Sequence, residues 1–164
     1  MNKQEILNEI NKTKEHLANM EKMLEECEYE RWKPNIAEIY YFVDSDLRVI
    51  NDDWVNIEGQ RELYNVYNCF QTREQAEAEA EKILVRRMLE NIARRLNKGE
   101  KIDWDDEAIK KYFIRFNYYN NRIELDYSFR HKFHGAVYCL NKNFSDVAVK
   151  EIGEERLKKY LRGE

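Results

Sequence analysis

Two short runs place carboxylates beside a tryptophan: Asn51-Asp52-Asp53-Trp54 and Asp103-Trp104-Asp105-Asp106-Glu107. Paired carboxylates hold hard divalent cations or exchange protons with a substrate, but only when they converge. Each run here is a local cluster in a turn-like context, so capping and solubility are the economical explanation. A further use is open to them, because an acidic surface carrying exposed aromatics fits the basic groove of a nucleic-acid-handling protein. In that use Asp52, Asp53, Asp103, Asp105 and Asp106 supply the charge, and Trp54 and Trp104 are the anchors. His131 and His134, in "HKFHG", are spaced i, i+3, which suits one metal on a helix. They fall between strand-like runs with no third ligand nearby, so a solvated loop is the expectation. No Ser or Cys nucleophile has an assignable partner, and five scattered glycines make no phosphate loop. The chain reads as non-enzymatic, with no cofactor and no metal.

"RFNYYNNR" and "SFRHKF", within residues 115–133, interleave cations with aromatic rings. That is the chemistry that holds single-stranded nucleic acid, by base stacking plus phosphate neutralisation. Strand alternation places Phe116 and Tyr118 on one face and Arg115 and Tyr119 on the other, so half of this set belongs to a core. Charge is unevenly spread: residues 35–71 carry two basic and seven acidic side chains, and residues 115–144 carry five basic and two acidic. The net charge of −4 is mild for a bulk polyanion binder.

These groups must be positioned by a chain of 164 residues, enough for one domain with an appended element. Cys27, Cys69 and Cys139 are odd in number and widely spaced, which disfavours a disulfide framework or a zinc site. The charged N-terminus has no signal-peptide pattern and no run is long enough to span a bilayer, so a cytoplasmic protein without membrane contact is expected.

From about residue 2 to 30 the pattern predicts one helix. Ile6, Ile10, Thr13, Leu17, Met20, Leu24 and Cys27 are spaced 4, 3, 4, 3, 4, 3, a heptad seam among Glu, Lys and Asn. So narrow a stripe favours a coiled coil, and Ile6, Ile10, Leu17, Met20 and Leu24 are its candidate dimerisation residues. Packing of the same stripe onto its own domain is the alternative. "RWKPN" ends the helix, because Pro34 lacks an amide proton and disfavours helix before it. The domains expected are therefore residues 1–33, an amphipathic helix, and 34–164, an α+β globule.

In the globule, "IAEIYYFVDSDLRVI" predicts a hairpin around Asp44-Ser45-Asp46, and "RELYNVYNCF" a third strand. Thr72 and Gln75 form a capping box for a helix over 73–97, whose expected face is Ala76, Ala80, Ile83, Leu84, Met88, Ile92 and Leu96, with Gly99 as left-handed cap. "YFIRFNYY", "RIELDYSFR" and "GAVYCL" predict three more strands, the first two joined at Asn120-Asn121. A final helix over about 142–161 contains a possible break at Gly153. The order is α, βββ, α, βββ, α, or two βββα-like units of antiparallel sheet packed by helices. An internal echo agrees: Phe70-x-Thr72-x-x-x-Ala76 lies over Cys139-x-Asn141-x-x-x-Ser145, with Ala80 and Ile83 over Val149 and Ile152. A strand end, a cap and small or apolar residues are what any helix folding back onto a sheet requires. The echo is architecture, not a site.

At "WKPN", "EIYYFV", "NCFQTREQAEAEAEK" and "EIGEERLKKYL", about half of the chain resembles a loose group of small phage and prophage proteins of low-GC Gram-positive bacteria. Tyr67-Asn68 departs from the Gly-Asn common there, so a turn at that point needs another backbone solution. The resemblance carries over no functional residue. It implies a non-catalytic accessory protein that binds and inhibits a host defence or nucleic-acid-handling protein, a CRISPR nuclease for example. The alternative is a nucleic-acid-binding accessory protein using the 115–133 surface.

Overall fold

A computed structural model describes residues 9, 10, 12–20 and 31–164. The chain divides into two units, Met1–Asn35 and Ile36–Glu164. In the first, residues 9, 10 and 12–20 are helical and exposed, Ile10, Leu17 and Met20 among them, and the Thr13 hydroxyl donates to the Glu9 carbonyl at 2.8 Å. Ile6, Leu24 and Cys27 lie outside the described residues.

The second unit is an α+β fold. β1 (Ile39–Val43) and β2 (Val49–Asp53) form the first hairpin. Asp44 Oδ1 accepts the Asp46 and Arg48 amides, and Leu47 takes the left-handed conformation (φ 63°) that closes the turn. "RELYNVYNCF" is not a strand: α1 (Glu58–Asn65) takes its first half. The aromatic and β-branched content suggests β structure, but burial follows helical spacing. Gln60 and Tyr64, four apart, face Trp54 and its neighbourhood: Gln60 Oε1 accepts the Val55 amide, its Nε2 donates to the Asp53 carbonyl, and the Tyr64 ring lies 6.3 Å from the Trp54 ring.

Tyr67 supplies the missing turn itself, at φ 62°. The Asn68 amide then reaches back to the Leu63 carbonyl, which closes the helix end. Phe70 follows, bridging Tyr41 on the edge of β1 away from β2. Next along that edge, the Asn68 carboxamide both accepts from the Val43 N–H and donates to its carbonyl, at 2.8 and 2.7 Å. A side chain thus replaces backbone in the ladder.

α2 (Arg73–Leu96) begins with the expected capping box: the Thr72 side chain accepts from the Gln75 amide, and the Gln75 side chain accepts from the Thr72 amide. Its buried residues are Ala76, Ala80, Val85, Leu89, Ile92 and Ala93. The expected Leu84 is 38% exposed and Met88 only flanks the core, because the stripe rotates to serve two different sheets. At its end Lys98, not Gly99, takes the left-handed position that accompanies the Lys98 N–H to Arg95 and Gly99 N–H to Arg94 bonds; Gly99 follows at φ 81°.

β3 (Lys111–Asn117), β4 (Arg122–Ser128) and β5 (Tyr138–Cys139) form the second sheet, in the order β4-β3-β5. Asn121 is left-handed in the β3–β4 turn. α3 (Phe144–Ile152) and α4 (Glu154–Arg162) are separated at Gly153, whose φ of 94° no helix accommodates. The core joins Val85, Leu89, Ile92, Ile114, Phe144, Ile152 and Leu157, each large aliphatic contributing about 1.5–3 kcal/mol on burial. A smaller cluster of Val43, Ala76 and Ala80 lies under the first sheet.

The echo now has a shape. In each half a hairpin is followed by a short piece that pairs with the hairpin's first strand on its outer side, and then by a helix: β2-β1-Phe70 and β4-β3-β5. In the first sheet the place of a third strand is held by one bridge residue, Phe70, and the Asn68 side chain.

Candidate functional site

The acidic clusters lie on different elements, Asp52 and Asp53 on β2 and Asp103 to Asp106 in the loop before β3. No hydrogen bond or ion pair among the described residues joins them. Trp54 cannot be an anchor: it is 1% exposed, edge-on to Tyr40 at 5.5 Å, in the packing between β1 and α1. Asp52 serves locally, with Oδ2 accepting from Gln60 at 3.2 Å and Oδ1 from the Asp53 amide at 2.9 Å. Burial, and secondarily the charge of Asp52, raises the pKa of the Tyr40 phenol.

The second cluster is built differently. Asp103 Oδ1 accepts the Asp105 amide and Asp106 Oδ1 the Ala108 amide, two local turns that shape the loop. Trp104 is half-buried, edge-on to Tyr138 at 4.9 Å, with Lys132 Nζ 4.9 Å from its ring. Glu107 pairs with Arg130. The acidic loop and the basic–aromatic segment, separate in the sequence, therefore form one face.

At its centre is a cleft of about 500 Å³, lined by Glu107, Tyr127, Phe129, Arg130, His131 and Phe133 among others. Tyr127, Phe129 and Phe133 are 45%, 38% and 53% exposed. Lys110 Nζ sits 4.1 Å from the Tyr127 ring, a cation–π contact of the kind worth about 0.5–1 kcal/mol at an exposed site. Sequence reasoning did not single out Lys111, which is fully buried at the head of β3. Its Nζ donates to the carbonyls of Asp106 and Phe129, tying the two parts of the face together. Alternation sets Lys111 on the face of β3 shared with Phe113, Arg115 and Asn117, so no spacing signal marks this lysine as buried.

The remainder of the 115–133 surface is less cationic than its composition. Arg115 is held by Glu124 at 3.2 Å and Asp126 at 3.3 Å. Phe116 and Tyr118 do share a face, their rings 5.0 Å apart. Tyr119, at the turn, is 99% exposed. Glu124 accepts from Asn117 at 2.8 Å and Asn120 at 3.0 Å; those bonds, Asn120's first, hold its pKa below the usual carboxylate value.

His131 and His134 lie in a loop and turn between β4 and β5, and among the described residues no group of three or more His, Cys, Asp or Glu is placed to hold a metal. Cys69 and Cys139 are both buried. Burial raises the pKa of Cys139, beside Asn97 Oδ1 at 3.1 Å, so it stays a neutral thiol and a poor nucleophile. No described helix is long and apolar enough to cross a membrane. Compared with protein-family models, curated proteins and solved structures, the chain matches none.

Proposed function

We propose that this chain is a non-catalytic, phage-type accessory protein that binds and inhibits a host defence or nucleic-acid-handling protein, with CRISPR nucleases as the first candidates. The contact face in this reading is residues 103–107 with 127–133. One observation carries it: a half-exposed aromatic cleft rimmed by both charge signs, Glu107 paired with Arg130, with Lys132 beside it over the Trp104 ring. Aromatic-rich, mixed-charge patches with a central pocket are typical of protein contacts. Asp103, Trp104, Asp105 and Asp106 keep their place in the face, whereas Asp52, Asp53 and Trp54 do not. The choice of a host target rests on the resemblance at "WKPN" and "EIGEERLKKYL", and it puts the protein in the host cytoplasm. The N-terminal heptad seam makes it a homodimer in this reading. The test is target cleavage by a panel of purified CRISPR nucleases with and without the protein. Loss of cleavage by one of them supports the reading, and full cleavage by all removes that class of target.

A second reading, nucleic-acid binding, is favoured by Lys110 and Lys132, which rest on aromatic rings rather than on carboxylates. A gel-shift titration separates the two, since nucleic-acid binding gives a shift with steep salt dependence.

A further inference from the structure

β3 is the central strand of the second sheet, yet it is covered on only one side along its length. β4 pairs with all of it, whereas β5 pairs only with Tyr112 and Phe113. Ladder alternation identifies what is left over. The Tyr127 N–H turns away from β3 to Asp126 Oδ1, so its partner Tyr112, and with it Ile114 and Phe116, directs N–H and C=O away from β4. Tyr112 meets Cys139 there; Ile114 and Phe116 meet no strand. Along β1 the equivalent edge is filled, at Tyr41 by Phe70 and at Val43 by the Asn68 carboxamide.

The chain that could continue β5 leaves the edge instead. "GAVYCL" predicts a strand from residue 135, but Gly135 turns at φ 79° and its carbonyl accepts from Arg86 Nη1 at 3.3 Å. Between this loop, β3 and α4 lies a slot of about 450 Å³, floored by Ile114 and Phe116 and bordered by Tyr160, Leu161, Arg115 and His134. Among the described residues no carboxylate lines it. Glu90, Glu124 and Asp126, which engage Arg86 and Arg115, are outside its lining.

We propose that this slot accepts a β-strand: an extended segment of a partner protein, alternating apolar and acidic, adds to β3 in line with β5. The open edge from Ile114 to Phe116 matches roughly three residues at about 3.4 Å each. Main-chain bonds to Ile114 and Phe116 supply the affinity, and alternate side chains the specificity. On the helix face the added strand meets Tyr160 and Leu161, which take apolar side chains; on the other face it meets Arg115, which takes acidic ones. The proposal rests on the protein-binding reading but commits to its own ligand chemistry.

The experiment is an amide-resolved NMR titration of the full chain with acetyl-Val-Glu-Val-Glu-Val-amide and, separately, with its Lys-for-Glu counterpart. Saturable shifts at the Ile114 and Phe116 amides are expected with the acidic peptide, with affinity lowered about five-fold or more by His134→Glu or by the Lys peptide. His134 is exposed, so that variant keeps the fold. No shift at these two amides up to millimolar acidic peptide overturns the proposal. Equal response to both peptides, or a stronger one to a single-stranded oligonucleotide, overturns it too. None of those results bears on nuclease inhibition through the 103–107 and 127–133 face, so the two readings fail separately.

Discussion

Lys111, fully buried, donates from Nζ to the carbonyl oxygen of Phe129 at 2.9 Å. A second bond from the same ammonium goes to the Asp106 carbonyl, and the Trp104 ring lies 5.7 Å away. One amine thus fastens the acidic loop to the aromatic segment. Lys111→Met removes the donor and leaves two carbonyls without it, at about 1–3 kcal/mol. Denaturant unfolding is expected to show that loss, with faster hydrogen exchange in residues 103–107 and 129–133. Unchanged exchange in both segments contradicts the clamp.

Asp52 on β2 and Asp126 on β4 stand on the outer strands of the two sheets. Each accepts the next residue's outward N–H, Asp53 at 2.9 Å and Tyr127 at 2.8 Å. An edge strand with a free donor row recruits other strands, and a charge placed over it prevents this. Asp52→Ala with Asp126→Ala is expected to make the protein self-associate at high concentration while its far-ultraviolet circular dichroism stays native. A light-scattering mass equal to that of the unmodified protein would remove the edge-guard role.

The heptad seam predicts a dimer. Ile10, Leu17 and Met20 are 46%, 54% and 55% exposed in the single chain, a stripe that gains from a second copy. Leu17→Glu with Leu24→Glu should give a folded monomer, since the Ile36–Glu164 unit has its own core. Light scattering of the unmodified protein at micromolar concentration decides the matter, and a monomeric mass sinks it.

Glu81 on α2 and Arg156 on α4 form a two-pronged pair, including an Nη2–Oε2 bond of 2.9 Å. The Arg156 hydrogen bond holds the Glu81 pKa below its ordinary value of 4.5. A lowered folded value means that the contribution is complete above about pH 4.5 and fades as the pH falls through the folded pKa. With side chains 45% and 34% exposed, the pair is worth about 1 kcal/mol or less. Glu81→Gln should therefore lower stability slightly at pH 7 and flatten its fall in acid. Parallel pH–stability curves for both proteins would contradict this.

Much of the fold was legible because local signals agreed with it: the Thr72–Gln75 box, the Asp44 turn, Asn121 and the Gly153 break all sit where short-range chemistry requires them. "RELYNVYNCF" has strand-like composition yet begins in a helix, because a helix that buries Gln60 and Tyr64 against Trp54 owes its stability to tertiary packing, not to propensity. The same packing removed Trp54 from the candidate site, since burial of an aromatic beside two aspartates leaves no local trace. The Glu107–Arg130 and Lys111–Phe129 contacts join residues 23 and 18 apart, and no spacing rule reaches that far. Tyr67 shows the reverse: the sequence marks a turn without glycine there, and the residue accepts left-handed strain of about 1–2 kcal/mol.

In the proposed function, the face built from residues 103–107 and 127–133 inhibits a nucleic-acid-handling protein. Its most direct measurement is target cleavage by a panel of purified CRISPR nucleases, with the unmodified protein and with Phe133→Ala combined with Asp105→Lys run side by side. Both positions are exposed, though the Phe133 ring also lies 5.1 Å from that of Phe113, so a native circular dichroism spectrum of the variant accompanies the assay. The expected result is inhibition of at least one nuclease by the unmodified protein, weakened about ten-fold or more in the variant. Full cleavage by every nuclease, or equal inhibition by the two proteins, would contradict it.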